Sequence, residues 1–500
     1  MHTKSFLLSI LVVLIGCGDG AELLPEATGP ALAAAAAAVG RDRELATMGA
    51  ALTSAARTVI VSGEAGIGKT TLIAAFAATH AVPSGWRVLY QRCDEYVREP
   101  YQPLRGLVAQ LVESIPEASL AAHEATWGGE VFRLAPQLRA PTSAAVRDVV
   151  GDQSTARFLL FEAVADLARR AAEVVPTVLV LDEASMVDVI SMSRICGVLP
   201  SHVRLVLVGD PHQLMPVGPG LVLHAMGAVP GVPFVELKTV KRYGGAIAAA
   251  AAGIRAGRWP EFSDDETAPV AFLPCRDELI AETVVELMAL DRVNSQVLCA
   301  VRNGPAGTKG LNALCQERFA AHASEVRKWN DEFDCAEGVG LRLGDTVLCT
   351  RNLWAMGLQN GSLGTIVEVE DMPRALHDDA GEVTSYALAW VEWDDGQRRP
   401  LTLDMLEDVE LGYAITVHKA QGSQWPRIIV PVTQSRLLDR TLLYTALTRA
   451  QTQVLLVGDV AAARAAVLAQ PRANERKVAL DLHLAKLGQA REREQQELLG

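Results

Sequence analysis

Val59-Ile60-Val61-Ser62-Gly63-Glu64-Ala65-Gly66-Ile67-Gly68-Lys69-Thr70-Thr71 decides how this chain is read. A short β-branched run stops at a glycine-rich turn, and a helix-forming run, Leu72-Ile-Ala-Ala-Phe-Ala-Ala78, follows. The order is strand, loop, helix, with G-x-x-x-x-G-K-[ST] spacing at the loop. Gly63, Gly66 and Gly68 permit positive φ and close backbone approach, so successive N–H groups can point inward at an anion. The helix that follows adds its positive N-terminal end. Residues 63–71, including Glu64, Ala65, Ile67 and Thr71, form the expected phosphate cradle. Lys69 would reach the β- and γ-phosphates and the Thr70 hydroxyl would hold Mg²⁺. The competing reading is a glycine-rich loop that binds nothing, and the strand before and helix after count against it. The stretch predicts binding of a nucleoside triphosphate, ATP, with Mg²⁺.

The chain of 500 residues is too long for a single core and predicts several domains. Half of it is hydrophobic and 21% charged, which excludes a disordered chain. The net charge of −13 does not advertise a nucleic-acid binder, yet enzymes that track DNA use local basic grooves within an acidic whole. Eight cysteines occur without a C-x-x-C pair, so neither a zinc ribbon nor a disulfide framework is indicated. Reduced thiols fit the cytoplasm. Against this, Met1 to Lys4 is a basic start, Phe6 to Ile15 an apolar run too short to span a bilayer, and Leu14-Ile-Gly-Cys17 resembles a bacterial lipobox. An exported ATPase would lack ATP, so the expectation is a cytoplasmic protein with no membrane contact. A lipoprotein leader over residues 1–17 is the alternative.

Downstream, Arg87 to Gln91 reads as a second strand. Thr177-Val-Leu-Val-Leu-Asp182-Glu183 reads as a strand covered on both faces, as in a parallel sheet. Its terminal carboxylates would lie beside the loop, Asp182 holding Mg²⁺ through water and Glu183 orienting or deprotonating the attacking water. With 59–62, 203–209 and 233–237, five strand candidates separated by helical stretches predict a doubly wound α/β domain.

Two resemblances follow from these residues. Gly40-Arg-Asp-Arg-Glu-Leu45, the 63–70 loop, Pro100-Tyr-Gln-Pro-Leu104 and Arg157-Phe-Leu-Leu-Phe-Glu-Ala-Val-Ala-Asp166 resemble the P-loop ATPase module of large LuxR-type regulators, over roughly 39–180. From about 177 to 460 the chain instead resembles superfamily 1 DNA helicases of the RecD type. The residues that carry this are Asp182-Glu-Ala-Ser-Met-Val-Asp188, Gly209-Asp-Pro-His-Gln213, Leu237-Lys-Thr-Val-Lys-Arg242, Gly310-Leu-Asn312, Gly412-Tyr-Ala-Ile-Thr416-Val-His418-Lys-Ala-Gln421-Gly422, and Leu443-Tyr-Thr-Ala-Leu-Thr-Arg449-Ala450.

The helicase resemblance implies two RecA-like domains sharing one nucleotide pocket. It makes Gln213 the γ-phosphate sensor and Arg242 and Arg449 the arginines that neutralise the transferring phosphoryl group. Thr416, His418 and Gln421 would face single-stranded DNA or relay its presence to ATP. It also implies 5′ to 3′ movement and DNA-repair or recombination subunits as partners. Asn-Gly and Asp-Asp-Gly turns among alternating strands at 344–352, 360–369 and 385–393 predict a small antiparallel β-barrel inserted in the second domain. The expected domains are a leader and linker at 1–30, a first RecA-like domain at 31–260, and a second at 270–338 and 412–460. The barrel takes 339–411, and a charged helical tail takes 461–500. One motif of the helicases is missing, because regulator-like sequence at 93–170 stands where their first strand-binding motif should be. The chain reads as a composite joined near Asp182. A signalling ATPase switch and an inactive composite are the rival readings.

Overall fold

The computed structural model describes residues 40–93, 108–133, 153–237, 245–472 and 480, apart from short interruptions within those ranges. The lipobox, Pro100 to Leu104 and the tail beyond residue 472, residue 480 excepted, lie outside the described residues. The chain falls into two compact units, the second running from Tyr243 to Pro471 and the first taking the chain on either side of it.

The first unit holds β1 (Thr58–Gly63), β2 (Arg87–Arg92), β3 (Thr177–Asp182), β4 (Arg204–Gly209) and β5 (Phe234–Leu237). They form one sheet in the order β2-β3-β4-β1-β5, and every pairing is parallel. Alternate residues leave the strands in opposite directions, and both directions are buried in β1, β3 and β4, while the edge strand β5 buries only one. Ile60, Leu89, Leu179, Leu181, Leu205 and Leu207 face a core that includes the Gln153–Val174 and Val189–Val198 helices. Val59, Val61, Val88, Val178, Val180, Val206 and Val208 face the Asp42–Thr53 and Lys69–Phe76 helices. At about 1.5–3 kcal/mol for each large aliphatic side chain buried, this double covering holds the sheet. It also explains the unbroken apolar runs in the sequence. All five C-terminal strand ends lie along one edge, where open parallel sheets bind ligands.

The second unit opens with β6 (Val270–Pro274) and β7 (Ser295–Cys299), followed by an antiparallel pair, β8 (Glu325–Asn330) and β9 (Cys335–Arg342). Then come β10 (Thr346–Cys349), β11 (Leu363–His377), β12 (Val383–Trp393), β13 (Arg398–Thr402) and β14 (Val409–Leu411), an antiparallel sheet in the order β13-β12-β11-β10-β14. Among the described residues its end strands β13 and β14 are not paired. A 3₁₀ segment, Leu403–Asp408, connects them and buries Met405. The antiparallel insertion read from the turns is present, as a sheet whose edges are bridged by side-chain packing rather than by a closing ladder.

The chain then returns with β15 (Ala414–Thr416), β16 (Trp425–Val432) and β17 (Ala450–Gly458), completing a second parallel sheet, β15-β7-β16-β17-β6. The Asp277–Leu290 and Thr308–Ala320 helices cover one face. The Gly245–Arg255, Arg440–Leu447 and Val460–Leu468 helices pack on the sheet as well. The alanine-rich Gly245–Arg255 helix turns Ile247, Ala250, Ala251 and Ile254 inward, so it belongs with the second unit. Among the described residues no helix is long and apolar enough to cross a membrane.

A buried polar junction ties the inserted sheet to the second parallel sheet. Asp345 is fully buried, and its Oδ1 accepts from the Tyr413 hydroxyl at 2.8 Å. Its Oδ2 accepts from Gln316 Nε2 at 2.6 Å and the Arg342 amide at 2.7 Å. Burial and the Asp345 charge push the Tyr413 phenol above its ordinary range. Asn312 clamps the return of the chain: its Nδ2 donates to Leu411 O at 2.9 Å and Ala414 O at 3.0 Å, and its Oδ1 accepts from the Ala414 amide at 2.7 Å. The Asn312→Ala variant is expected to lose about 1–3 kcal/mol of stability, since the main-chain groups at 411 and 414 lose their partners. The urea midpoint should fall with an unchanged m-value, and an unmoved midpoint would refute the clamp.

Candidate active site

β1 ends at Gly63, and the loop that follows curls back before the Lys69–Phe76 helix starts. A Cβ on Gly63 would stand 2.8 Å from Ile67 Cγ2, so the tight curl needs glycine there. Gly68 sits at φ +97 and caps the helix, its carbonyl accepting from the Leu72 amide at 2.9 Å. The Lys69 side chain is buried and turns into the loop, donating to Gly63 O at 2.8 Å and Glu64 O at 3.0 Å. The buried Arg41 guanidinium braces the loop from behind, donating to Ile67 O at 3.3 Å and pairing with Glu44 at 3.2 Å. Thr71 lies in the first helical turn, and Ala65 lies outside the described residues.

Thr70 Oγ1 donates to Asp182 Oδ2 at 3.1 Å, joining the first helical turn to the end of β3. The Glu183 amide donates to Asp182 Oδ1 at 2.9 Å, and Glu183 takes left-handed backbone at φ +53. Beside it, β4 ends at Gly209, where a Cβ would stand 3.1 Å from the Ser185 amide nitrogen, so the β3 and β4 ends are pressed together. Asp210 follows, with Oδ1 accepting from the His212 amide at 2.9 Å. Gln213 is buried, its amide donating to Asp210 O at 3.2 Å and its Nε2 to Asp210 Oδ2 at 3.4 Å. The glycine loop, Asp182, Glu183 and Gln213 therefore occupy the C-terminal edge of one sheet. A loop of positive-φ glycines with an ammonium inside it fits a polyphosphate. A hydroxyl, with a carboxylate 3.1 Å away acting through water, suits the hard oxygen surroundings a small divalent cation takes.

In the second unit, Thr416 ends β15, and its Oγ1 accepts from the Lys419 amide at 3.3 Å. His418 and Gln421 lie in the turn that follows, the Gln421 amide donating to His418 O at 3.1 Å. Burial lowers the His418 pKa to about 4, so the imidazole is neutral at physiological pH. Arg449 joins the Arg440–Leu447 helix to β17 and is buried, with Nε donating to Thr445 O at 3.2 Å and Nη1 to Ser423 O at 3.4 Å. The Trp425 amide donates to Arg449 O at 3.0 Å. The 412–425 and 443–450 blocks, separate in sequence, are thus bonded to each other. Arg242 lies outside the described residues. Two contacts had no signal in the sequence reading: Arg41 on the loop carbonyl, and the Tyr90 hydroxyl, which donates to Asp182 Oδ2.

Comparison with known proteins gives two family matches: an AAA ATPase domain over residues 37–208 and a UvrD-like helicase C-terminal domain over residues 411–457. The RecBCD enzyme subunit RecD of Mycolicibacterium smegmatis is 33% identical over 314 residues, 58% of this chain and 51% of that protein. The ATP-dependent RecD2 DNA helicase of Deinococcus radiodurans is 33% identical over 300 residues, 59% of this chain and 38% of that protein. The chain thus spans about half the length, or less, of these relatives. A crystal structure of Pif1 helicase from Bacteroides in complex with ADP-AlF3 and ssDNA aligns at a TM-score of 0.49 and 16% identity, covering 86% of this chain and 95% of that one. The fold stands on the strand orders themselves.

Gly68→Ala is expected to cost about 1–2 kcal/mol through backbone strain alone, because the new Cβ meets Thr71 Cβ only at an ordinary 4.0 Å contact yet sits on left-handed backbone. A thermal midpoint equal to wild type would contradict that geometry. Titration of His418 by NMR should give an apparent pKa near 4. A value near the unperturbed 6.5 or so would show that the ring is solvated.

Proposed function

We propose that this chain, 33% identical to RecD-type relatives over 58–59% of its length, is an ATP-dependent DNA helicase or translocase. In this reading it couples ATP hydrolysis to movement on single-stranded DNA, 5′ to 3′. The observation that carries the reading is a combination within one chain. A loop whose Thr70 meets Asp182 at 3.1 Å is followed by a segment matching a UvrD-like helicase C-terminal domain.

Lys69 is the cation for the β- and γ-phosphates, exchanging its bonds to Gly63 O and Glu64 O for phosphate oxygens. Thr70 and Asp182 would hold Mg²⁺, which when bound neutralises phosphate charge and holds the phosphates in line for attack. Glu183 orients the attacking water and accepts its proton. Gln213 registers the γ-phosphate, and Arg242 and Arg449 neutralise charge developing on the transferring group. Thr416, His418 and Gln421 meet the single strand. A neutral His418 contributes a hydrogen bond and ring surface there rather than charge, and affinity comes from phosphate contacts and stacking elsewhere on the path. DNA-repair or recombination subunits are the proposed partners, by analogy with the RecD relative. The cytoplasm is the proposed compartment. The domain limits proposed from sequence are kept in this reading with one correction: the Gly245–Arg255 helix, expected in the first domain, goes with the second.

Single-stranded DNA is expected to raise the ATPase rate about tenfold or more. Lys69→Ala should abolish hydrolysis, and Glu183→Gln should lower kcat by about 10²–10⁴ while retaining ATP binding. Strand displacement should prefer a 5′ overhang. Slow hydrolysis indifferent to DNA would point to a signalling switch and defeat the motor reading.

A further inference from the structure

Asp182 is held by more than its proposed partners in the cation site. Its Oδ1 accepts from the Glu183 amide at 2.9 Å, and its Oδ2 accepts from Thr70 Oγ1 at 3.1 Å and from the Tyr90 hydroxyl. A carboxylate offers about four acceptor positions, so three are taken by protein donors. Tyr90 is itself fixed. It stands near the end of β2, paired in parallel register with Val180 of β3. The buried Gln110 clamps its main chain, accepting from the Tyr90 amide at 3.1 Å and donating to Tyr90 O at 2.8 Å. Two anchored strands therefore bring a phenol and a carboxylate together across the sheet edge.

We infer that Tyr90 is a positioning residue for the divalent-cation site: its hydroxyl pins the Asp182 carboxylate beside Thr70, leaving roughly one acceptor position free, enough for a single metal-bound water. Asp182 then acts on the cation through that water, without swinging inward to ligate it. The inference rests on the nucleotide-binding reading above and adds to it a residue that neither the motif spacing nor the family matches assign. Tyr90 touches neither phosphate nor reacting atoms; it acts through Asp182. Groups that orient metal-binding carboxylates in this way are worth about 10–100-fold in metal affinity.

The test is Mg²⁺ titration of binding of a methylanthraniloyl-labelled ADP to the full chain, followed by fluorescence, with a parallel measurement in EDTA. Tyr90→Phe removes only the hydroxyl. It is expected to raise the Mg²⁺ concentration for half-maximal enhancement about tenfold while leaving the EDTA affinity unchanged. Site-specific 3-fluorotyrosine at position 90 restores the hydroxyl and should restore the wild-type titration. A Tyr90→Phe titration equal to wild type overturns the role of Tyr90 while leaving nucleotide binding intact. Loss of EDTA binding along with the Mg²⁺ effect also overturns it, because the hydroxyl would then support the whole pocket. Wild-type protein that binds no nucleotide overturns the underlying reading, and this inference with it.

Discussion

The 3.1 Å bond between Thr70 and Asp182 joins residues 112 positions apart, and it exists only because β1 and β3 run parallel with β4 between them. In an antiparallel arrangement one of the two side chains would sit at the opposite edge. The parallel sheet in turn requires both faces to be buried, which accounts for the two aliphatic layers on the first sheet. The chemistry at the strand ends is thus a consequence of hydrophobic covering several residues away. A helix that failed to cover its face would let the strand ends drift before any polar group was touched.

The second unit solves a different problem. A parallel sheet tolerates an insertion only where the chain can leave and return without unpairing its neighbours. Here it leaves after β7 and re-enters at β15, and the junction is polar. The buried Asp345 receives three donors, and Arg292 lies over the Phe319 and Tyr413 rings at 5.0 and 5.2 Å. A buried carboxylate met by three donors fixes geometry more sharply than an aliphatic contact, because its donors must meet it from set directions.

Much of this was legible from residues alone. The strands β1, β3 and β4 begin and end within a residue or so of the apolar runs, because a doubly covered strand leaves a nearly unbroken Val/Ile/Leu signature. The glycine loop announced itself, since φ +73 at Gly66 and +97 at Gly68 are conformations few other residues take readily. The antiparallel insertion was visible in its turns, whereas the bridging of its edges by Leu403–Asp408 was not, because strand closure leaves no mark on local pattern. Arg41, Tyr90 and the Asp345 junction were invisible for a related reason. Each is an ordinary residue made special by a partner 26 to 92 positions away. The helix Gly245–Arg255 shows the same limit, since its alanines say that it packs closely but not on which sheet.

Glu183 stands in left-handed backbone, a conformation that disfavours a residue bearing a Cβ by about 1–2 kcal/mol. The amide that this bend turns toward Asp182 is the same one that satisfies Oδ1, so the unfavourable torsion is coupled to a hydrogen bond. Under the role proposed for its carboxyl group, conformational comfort and chemical usefulness pull apart at this position. A glycine there would relax the main chain and keep the amide in place, yet would delete the carboxyl group. Selection for thermal robustness alone would therefore drift toward a tougher and chemically silent molecule.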